Sequence, residues 1–119
     1  MASRVIKITS ISVGDFYARH QEALGLKVVG SEDGFERAIR EPAPNRPGLA
    51  LAGFFTYFAN KRIQVIGNSE ASYLKKLSPD LRAERCRQLC DKKIPCIVAA
   101  RDHTLAQELL TAAAKSKLA

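Results

Sequence analysis

The chain has 119 residues, a length that suits one domain and is short for two. Hydrophobic residues make up 46% of it and charged residues 26%, which is ordinary for globular proteins and argues against a disordered chain. Every apolar run is interrupted well before 18 residues, so the sequence predicts no membrane-spanning helix.

The net charge of +7 is concentrated in one part of the chain. Residues 61–93 contain nine basic and four acidic side chains. Such a surface attracts acidic proteins, phosphorylated ligands or nucleic acid, but a solvated basic face is the simplest interpretation. Nucleic-acid binding is disfavoured because Tyr73 is the one aromatic residue interleaved with these charges and no nucleic-acid motif is present.

The three cysteines are predicted to be small buried side chains. They cannot all pair in disulfides, which favours a reducing cytoplasm. Cys86 and Cys90 lie four residues apart on a predicted helix, and Cys96 lies beside a predicted strand. A zinc site would need His20 or His103, which are far away in sequence and lack ligand spacing, so we predict no metal site.

In chain order, residues 4–11 predict a strand that ends at Ser12. Ser12 and Asp15 fit a helix start, and Gly25 fits the left-handed position after the last turn. One face of this helix is expected to pack inward: Val13, Phe16, Tyr17, His20 and Leu24. His20 is therefore expected to be packed and hydrogen-bonded rather than catalytic.

Residues 26–30 and 35–40 predict two strands around a polar turn. Three prolines exclude a helix over residues 41–48 and indicate an ordered loop. Residues 49–52 fit a buried strand or a tight turn. The aromatic cluster that follows is expected to anchor the core: Phe54, Phe55, Tyr57 and Phe58.

The second half alternates predicted strands and helices. Strands are predicted over residues 62–67 and 94–100, and helices after Asn68 or Ser69, after Ser78-Pro79, and after a capping box of Thr104 and Gln107. This alternation predicts a single compact α/β sandwich with a mixed, partly parallel sheet.

Motifs for catalysis are lacking in this sequence. Gly48 and Gly53 have the glycine spacing of a P-loop, but Phe54 and Phe55 occupy the positions where that loop needs Lys and then Ser or Thr. No G-x-S-x-G elbow occurs either. We therefore predict neither a catalytic residue nor a cofactor site in this chain.

The segment Asn45–Phe55 resembles a signature of the N-terminal domain of bacterial HPr kinase/phosphorylases. At the family's spacing it is followed by Tyr57-Phe58-Ala59 and by Arg62–Gly67. Further companions come in the family's order: Glu70, Tyr73, Leu74, Leu77-Ser78-Pro79 and Ile94–Ile97. The resemblance covers about residues 6–110.

The resemblance implies a fold similar to the N-terminal domain of muramyl ligases. It also implies a two-domain, typically hexameric parent enzyme in which a separate C-terminal domain uses ATP and magnesium to phosphorylate a serine of HPr and removes that phosphate by phosphorolysis. We expect residues 1–116 to be the N-terminal domain, residues 117–119 to be vector-derived, and the catalytic domain to be absent from this chain.

The polar residues and glycines around the signature form the candidate site, either as a pocket for an anionic or sugar-like ligand or as anchors of the loop: Asn45, Arg46, Gly48, Gly53, Arg62 and Gln64. We favour anchoring, with the Arg62 guanidinium donating to carbonyls of residues 42–48.

Three functions are consistent with this sequence. The leading hypothesis is a non-catalytic regulatory or assembly domain that contacts its own kinase domain and sister subunits, with HPr bound by the kinase domain. The alternative is a sensor of phosphorylated or nucleotide-sugar metabolites. A nucleic-acid binder is the weakest. The parent protein is expected to be an enzyme, while this chain shows no catalytic motif.

Overall fold

A computed structural model describes residues 10–100 and 105–119. The helices are α1 (Val13–Leu24), α2 (Gly48–Leu51), α3 (Asn68–Lys76), α4 (Pro79–Cys90) and α5 (Gln107–Lys115), and a 3-10 helix covers Glu32–Glu36. The strands are β1 (Ile11–Ser12), β2 (Ala38–Ile39), β3 (Gln64–Ile66) and β4 (Ile97–Ala99).

The described strands form two short pairs. β1 runs antiparallel to β2, with Ile11 opposite Ile39. β3 runs parallel to β4, with Gln64 opposite Ile97. Helices and a mixed set of strand pairs within one globule confirm the predicted single α/β domain.

The helix starts and stops follow the local signals in the sequence. Ser12 Oγ accepts from the Asp15 N–H at 3.0 Å, and Gly25 ends α1 in the left-handed region with φ 63°. Ser78 Oγ accepts from the Leu81 N–H at 3.3 Å, with Pro79 at the first position of α4. The structure confirms these predictions. Sequence was sufficient because each signal acts only on neighbouring residues.

Other predicted elements differ from the structure. Residues 26–30 form no strand, and of the two alternatives for residues 49–52 the structure has the turn, as part of the short helix α2. Gly67, rather than Asn68 or Ser69, occupies the N-cap position of α3, and its N–H donates to Glu70 Oε1. The predicted strand over residues 4–9 and the Thr104 cap lie outside the described residues.

The main core lies where α4 and α5 pack together against β3 and the helices α2 and α3. Its fully enclosed members include Leu51, Ile66, Leu89, Ile94 and Leu109. A smaller cluster joins Val13, Ile39 and Cys96. Within the described ranges, no helix is long and apolar enough to cross a membrane.

The predicted packing of α1 and of the aromatic cluster is only partly right. His20 is exposed and contacts the Phe16 ring at a centroid distance of 5.1 Å, and Leu24 is 62% exposed, so the C-terminal half of the stripe faces solvent. Phe55 and Phe58 pack edge to face against each other and also against the core. Phe54 and Tyr57 do not, because they point outward from their turns.

The last two residues contact the rest of the domain. Leu118 is fully buried in the main core, and its carbonyl accepts from the Ser31 N–H at 2.8 Å. The Ala119 carbonyl accepts from the Ile97 N–H at 3.3 Å, beside β4, while Lys117 is exposed. Of the three residues that we expected to be vector-derived, Leu118 thus occupies a core position.

Candidate functional site

A buried amide pair anchors the proline-rich loop to β3. Gln64 has no exposed surface, and its Oε1 accepts from Asn45 Nδ2 at 2.7 Å. Gln64 Nε2 donates to the carbonyls of Ala59 and Arg62 at 2.9 and 3.0 Å. The Asn45 backbone adds bonds to Ile63 and Val65, each 2.8 Å. One amide thus joins the loop, the 59–62 turn and β3, with its polar atoms satisfied.

A second anchor joins Arg46 to the start of α3. Arg46 donates through Nε and Nη2 to Glu70 Oε1 at 3.0 and 2.6 Å. The same oxygen accepts from the Gly67 N–H at 2.8 Å. Burial alone would raise the pKa of Glu70, but these hydrogen bonds outweigh it and hold that pKa below its ordinary value.

Two glycines of this region lie against arginine guanidinium groups. A Cβ at Gly67 would collide with the Arg46 guanidinium. Gly53 has φ 99°, which other residues rarely adopt, and a Cβ there would lie 3.0 Å from the Arg85 guanidinium. Gly48 begins α2, where a Cβ would come no closer than 3.9 Å to Glu70 Oε2, an ordinary contact.

Arg62 does not bridge the loop carbonyls as we predicted. Its Nη2 lies 3.6 Å from Glu41 Oε2, at the start of the loop, and its Nε is enclosed without a hydrogen-bond partner among the described residues. The Arg62 guanidinium thus pairs with the Glu41 carboxylate and makes no hydrogen bond to a carbonyl of residues 42–48 in the described structure. Asn45 and Gln64, rather than Arg62, make the side-chain bonds between the loop and β3.

Two arginines that the sequence analysis did not single out each donate to at least two backbone carbonyls. This is the kind of bonding that we expected from Arg62, but the carbonyls belong to other parts of the chain. Arg37 donates to the carbonyls of Ile94 and Ser116. Arg82 donates to the carbonyls of Leu74 and Leu77 at 2.7 and 2.8 Å, at the end of α3. A local sequence pattern could have suggested only Arg82, since its partners are five and eight residues away.

α2 and the turns that follow it present large hydrophobic side chains to solvent. Leu49 and Phe54 are 74% and 68% exposed, and Tyr57 is fully exposed. A cavity of about 600 Å³ with a mostly apolar lining lies elsewhere, between α1, β4 and α5. None of the six candidate residues lines it. The candidate site is thus a braced loop followed by a segment with exposed hydrophobic side chains.

The cysteines behave as the sequence predicted. Cys86, Cys90 and Cys96 are buried and free, and burial raises their pKa values to about 11, 12 and 12. Within residues 10–100 and 105–119, no three His, Cys, Asp or Glu residues cluster in a way that could hold a metal ion.

The sequence of this α/β domain matches one family model over most of its length. That model, the HPr serine kinase N terminus, matches residues 11–119. The chain therefore belongs to the HPr serine kinase N-terminal family.

Curated relatives support this assignment. The HPr kinase/phosphorylase of Bacillus cytotoxicus is 37% identical over 95 residues, which is 80% of this chain and 31% of the relative. That of Bacillus cereus strain AH820 is 36% identical over the same length. That of Listeria monocytogenes serotype 4a is 36% identical over 109 residues, or 92% of this chain and 34% of the relative. The chain spans about a third of the length of these relatives.

Proposed function

We propose that this chain is the non-catalytic regulatory or assembly domain of a bifunctional, ATP-dependent HPr serine kinase/phosphorylase that controls carbon metabolism. The family match over residues 11–119 is the observation that carries the proposal. About two-thirds of each named relative lies outside the matching part, which leaves room for a separate catalytic domain.

The partners follow from that assignment. Within the proposal, the domain contacts its own kinase domain and sister subunits of a hexamer in the cytoplasm. HPr, ATP and magnesium are bound by the kinase domain. The candidate residues of this chain then brace the loop, because their polar atoms are bonded to one another: Asn45 with Gln64, and Arg46 with Glu70.

The first experiment tests the non-catalytic part of the proposal. The purified chain is incubated with HPr, magnesium and radiolabelled ATP, beside the full-length Bacillus cytotoxicus relative as the positive control. We expect phosphoserine on HPr with the relative and none with the chain. Transfer by the chain alone would overturn this assignment.

The second experiment tests the regulatory or assembly part. The matching third is deleted from the relative, and the mass of the assembly is measured by light scattering together with both activities. A changed oligomer mass or a changed balance of kinase and phosphorylase activity is expected. If the oligomer mass, the kinase activity and the phosphorylase activity were all unchanged, the regulatory or assembly role would be rejected.

Metabolite sensing is the alternative, and it has less support. An anion or sugar would compete with polar groups that already have partners within the loop. A thermal-shift screen of phosphorylated and nucleotide-sugar metabolites separates the two hypotheses, since a ligand at 100 times its Kd stabilises a protein by about 2.7 kcal/mol.

A further inference from the structure

Three large hydrophobic side chains of residues 49–57, two in the signature and one just after it, are exposed: Leu49, Phe54 and Tyr57, here called the apolar patch. The Phe54 N–H donates to the Leu49 carbonyl at 2.9 Å, so their backbones are adjacent. The Phe58 N–H donates to the Phe55 carbonyl at 3.2 Å, which closes a turn with Tyr57 at its corner. An exposed aromatic side chain offers roughly 150–250 Å² to a partner. Contiguous patches of a few hundred Å² on a monomer commonly mark interaction sites.

Tyr57 is held in an unfavourable backbone conformation. Its φ is 61°, in the left-handed region, which costs a non-glycine residue about 1–2 kcal/mol. The fully exposed ring makes no packing contact that would offset this cost. A residue that is both strained and exposed points to a functional constraint at this turn.

Basic side chains from α4 and the segment after it lie beside Gly53 and Phe55, which are the chain neighbours of Phe54. Lys92 Nζ lies 4.7 Å from the centre of the Phe55 ring, and the Lys92 carbonyl accepts from Asn60 Nδ2 at 3.0 Å. The Arg85 guanidinium lies against Gly53, and Arg87 is 60% exposed beside Phe55. Residues 53–61 and 85–93 together contain five basic side chains and one acidic one. We call Arg85, Arg87 and Lys92 the basic rim.

We propose that the apolar patch and the basic rim bind an acidic protein segment that places aromatic or aliphatic side chains on Phe54 and Tyr57. An apolar centre inside a charged border is the anatomy of protein interfaces. The rim favours carboxylates on the partner. A second copy of this surface would bring two positive rims together, so self-association is opposed. The inference goes beyond the proposed regulatory role and requires neither HPr nor a kinase domain.

Single-stranded RNA is the competing ligand, and one observation favours protein. Leu49 offers no ring on which a base can stack, although aromatic stacking dominates binding to single strands.

The proposal is tested by phage display. Random 12-residue peptides are selected against the chain, and the affinity of the consensus peptide is measured by anisotropy. We expect enriched peptides with net negative charge and at least one large apolar residue. Their Kd should rise about tenfold in Tyr57→Gly and in Phe54→Ser, and severalfold between 50 and 300 mM salt. Tyr57→Gly relieves the strained φ, so its urea midpoint should stay equal or increase, which guards against misfolding.

Leu24→Ser is the matched control, since Leu24 is an equally exposed apolar residue on α1 and lies outside the patch. Its peptide affinity should equal that of the unmodified chain. Failure to enrich peptides, enrichment without acidic character, or affinity unaffected by Tyr57→Gly would each overturn the proposal. Tighter binding of a 15-residue oligouridine, lost in Tyr57→Gly, would assign the surface to RNA instead.

Discussion

Arg46 and Glu70 form an ion pair with two hydrogen bonds that joins the proline-rich loop to α3. Arg46 Nε and Nη2 lie 3.0 and 2.6 Å from the same Glu70 oxygen. Glu70 is 5% exposed, while the arginine side chain is 55% exposed. Because the carboxylate is the buried partner, its charge depends on this bond and on the Gly67 N–H.

Glu70→Gln should therefore lower the free energy of unfolding by about 1–2 kcal/mol at neutral pH, because a charge-assisted bond becomes a neutral one. The pKa of Glu70 is lower in the folded state than its ordinary value of 4.5. Its contribution is thus complete above the unfolded-state pKa and is lost as pH falls through the folded-state pKa.

Urea midpoints measured from pH 3 to pH 7 check this expectation. The difference between the unmodified chain and Glu70→Gln should shrink on acidification below about pH 4.5. Glu22→Gln, at an exposed position of α1, is the control and should change little. A difference that stays constant with pH would contradict the role given to the carboxylate.

Truncation of Arg37 should cost more stability than truncation of Arg62. Arg37→Ala removes the donors to the carbonyls of Ile94 and Ser116, which should cost about 1–3 kcal/mol. Arg62→Ala removes a half-exposed ion pair at 3.6 Å, which should cost less than about 1 kcal/mol. Urea midpoints of the two variants decide the matter, and a larger loss for Arg62→Ala would restore the role first predicted for it.

The sequence predicted the helix ends correctly where the signal acts over only a few residues. Ser12, Gly25 and Ser78-Pro79 act on backbone groups within a few residues, and the structure confirms each of them. The bonds of Arg37 could not be predicted in this way. Its partners are 57 and 79 residues away, and only the folded chain brings them together.

The loop around the signature shows a second limit of sequence reasoning. Phe54 has the same side chain as Phe55 and Phe58, and Tyr57 carries a similar aromatic ring, so composition predicts one buried cluster. Burial is instead decided by backbone direction: φ at Gly53 and Tyr57 is positive, and the turns point two of the four rings outward. Residue type alone holds no information on that choice.

The three cysteines should be unreactive in the folded protein. Burial raises their pKa values to about 11 or 12, so almost no thiolate exists at pH 8. Ellman's reagent should label the native chain only as fast as the protein unfolds. In guanidinium chloride all three thiols should react immediately. Labelling of one thiol within seconds under native conditions would place that cysteine in an accessible environment.

Leu118 tests whether the end of the chain belongs to the domain. Its side chain is fully buried in the main core, between elements far apart in sequence. Leu118→Ala should therefore cost about 2–5 kcal/mol, since it leaves a cavity. Leu24→Ala, at a 62% exposed position, is the control and should change stability by less than about 0.5 kcal/mol.

Removing residues 117–119 should lower stability at least as much as Leu118→Ala does, because the bond from the Ser31 N–H to the Leu118 carbonyl is lost as well. An unchanged urea midpoint after this truncation would show that the tail is dispensable, as expected of vector-derived residues.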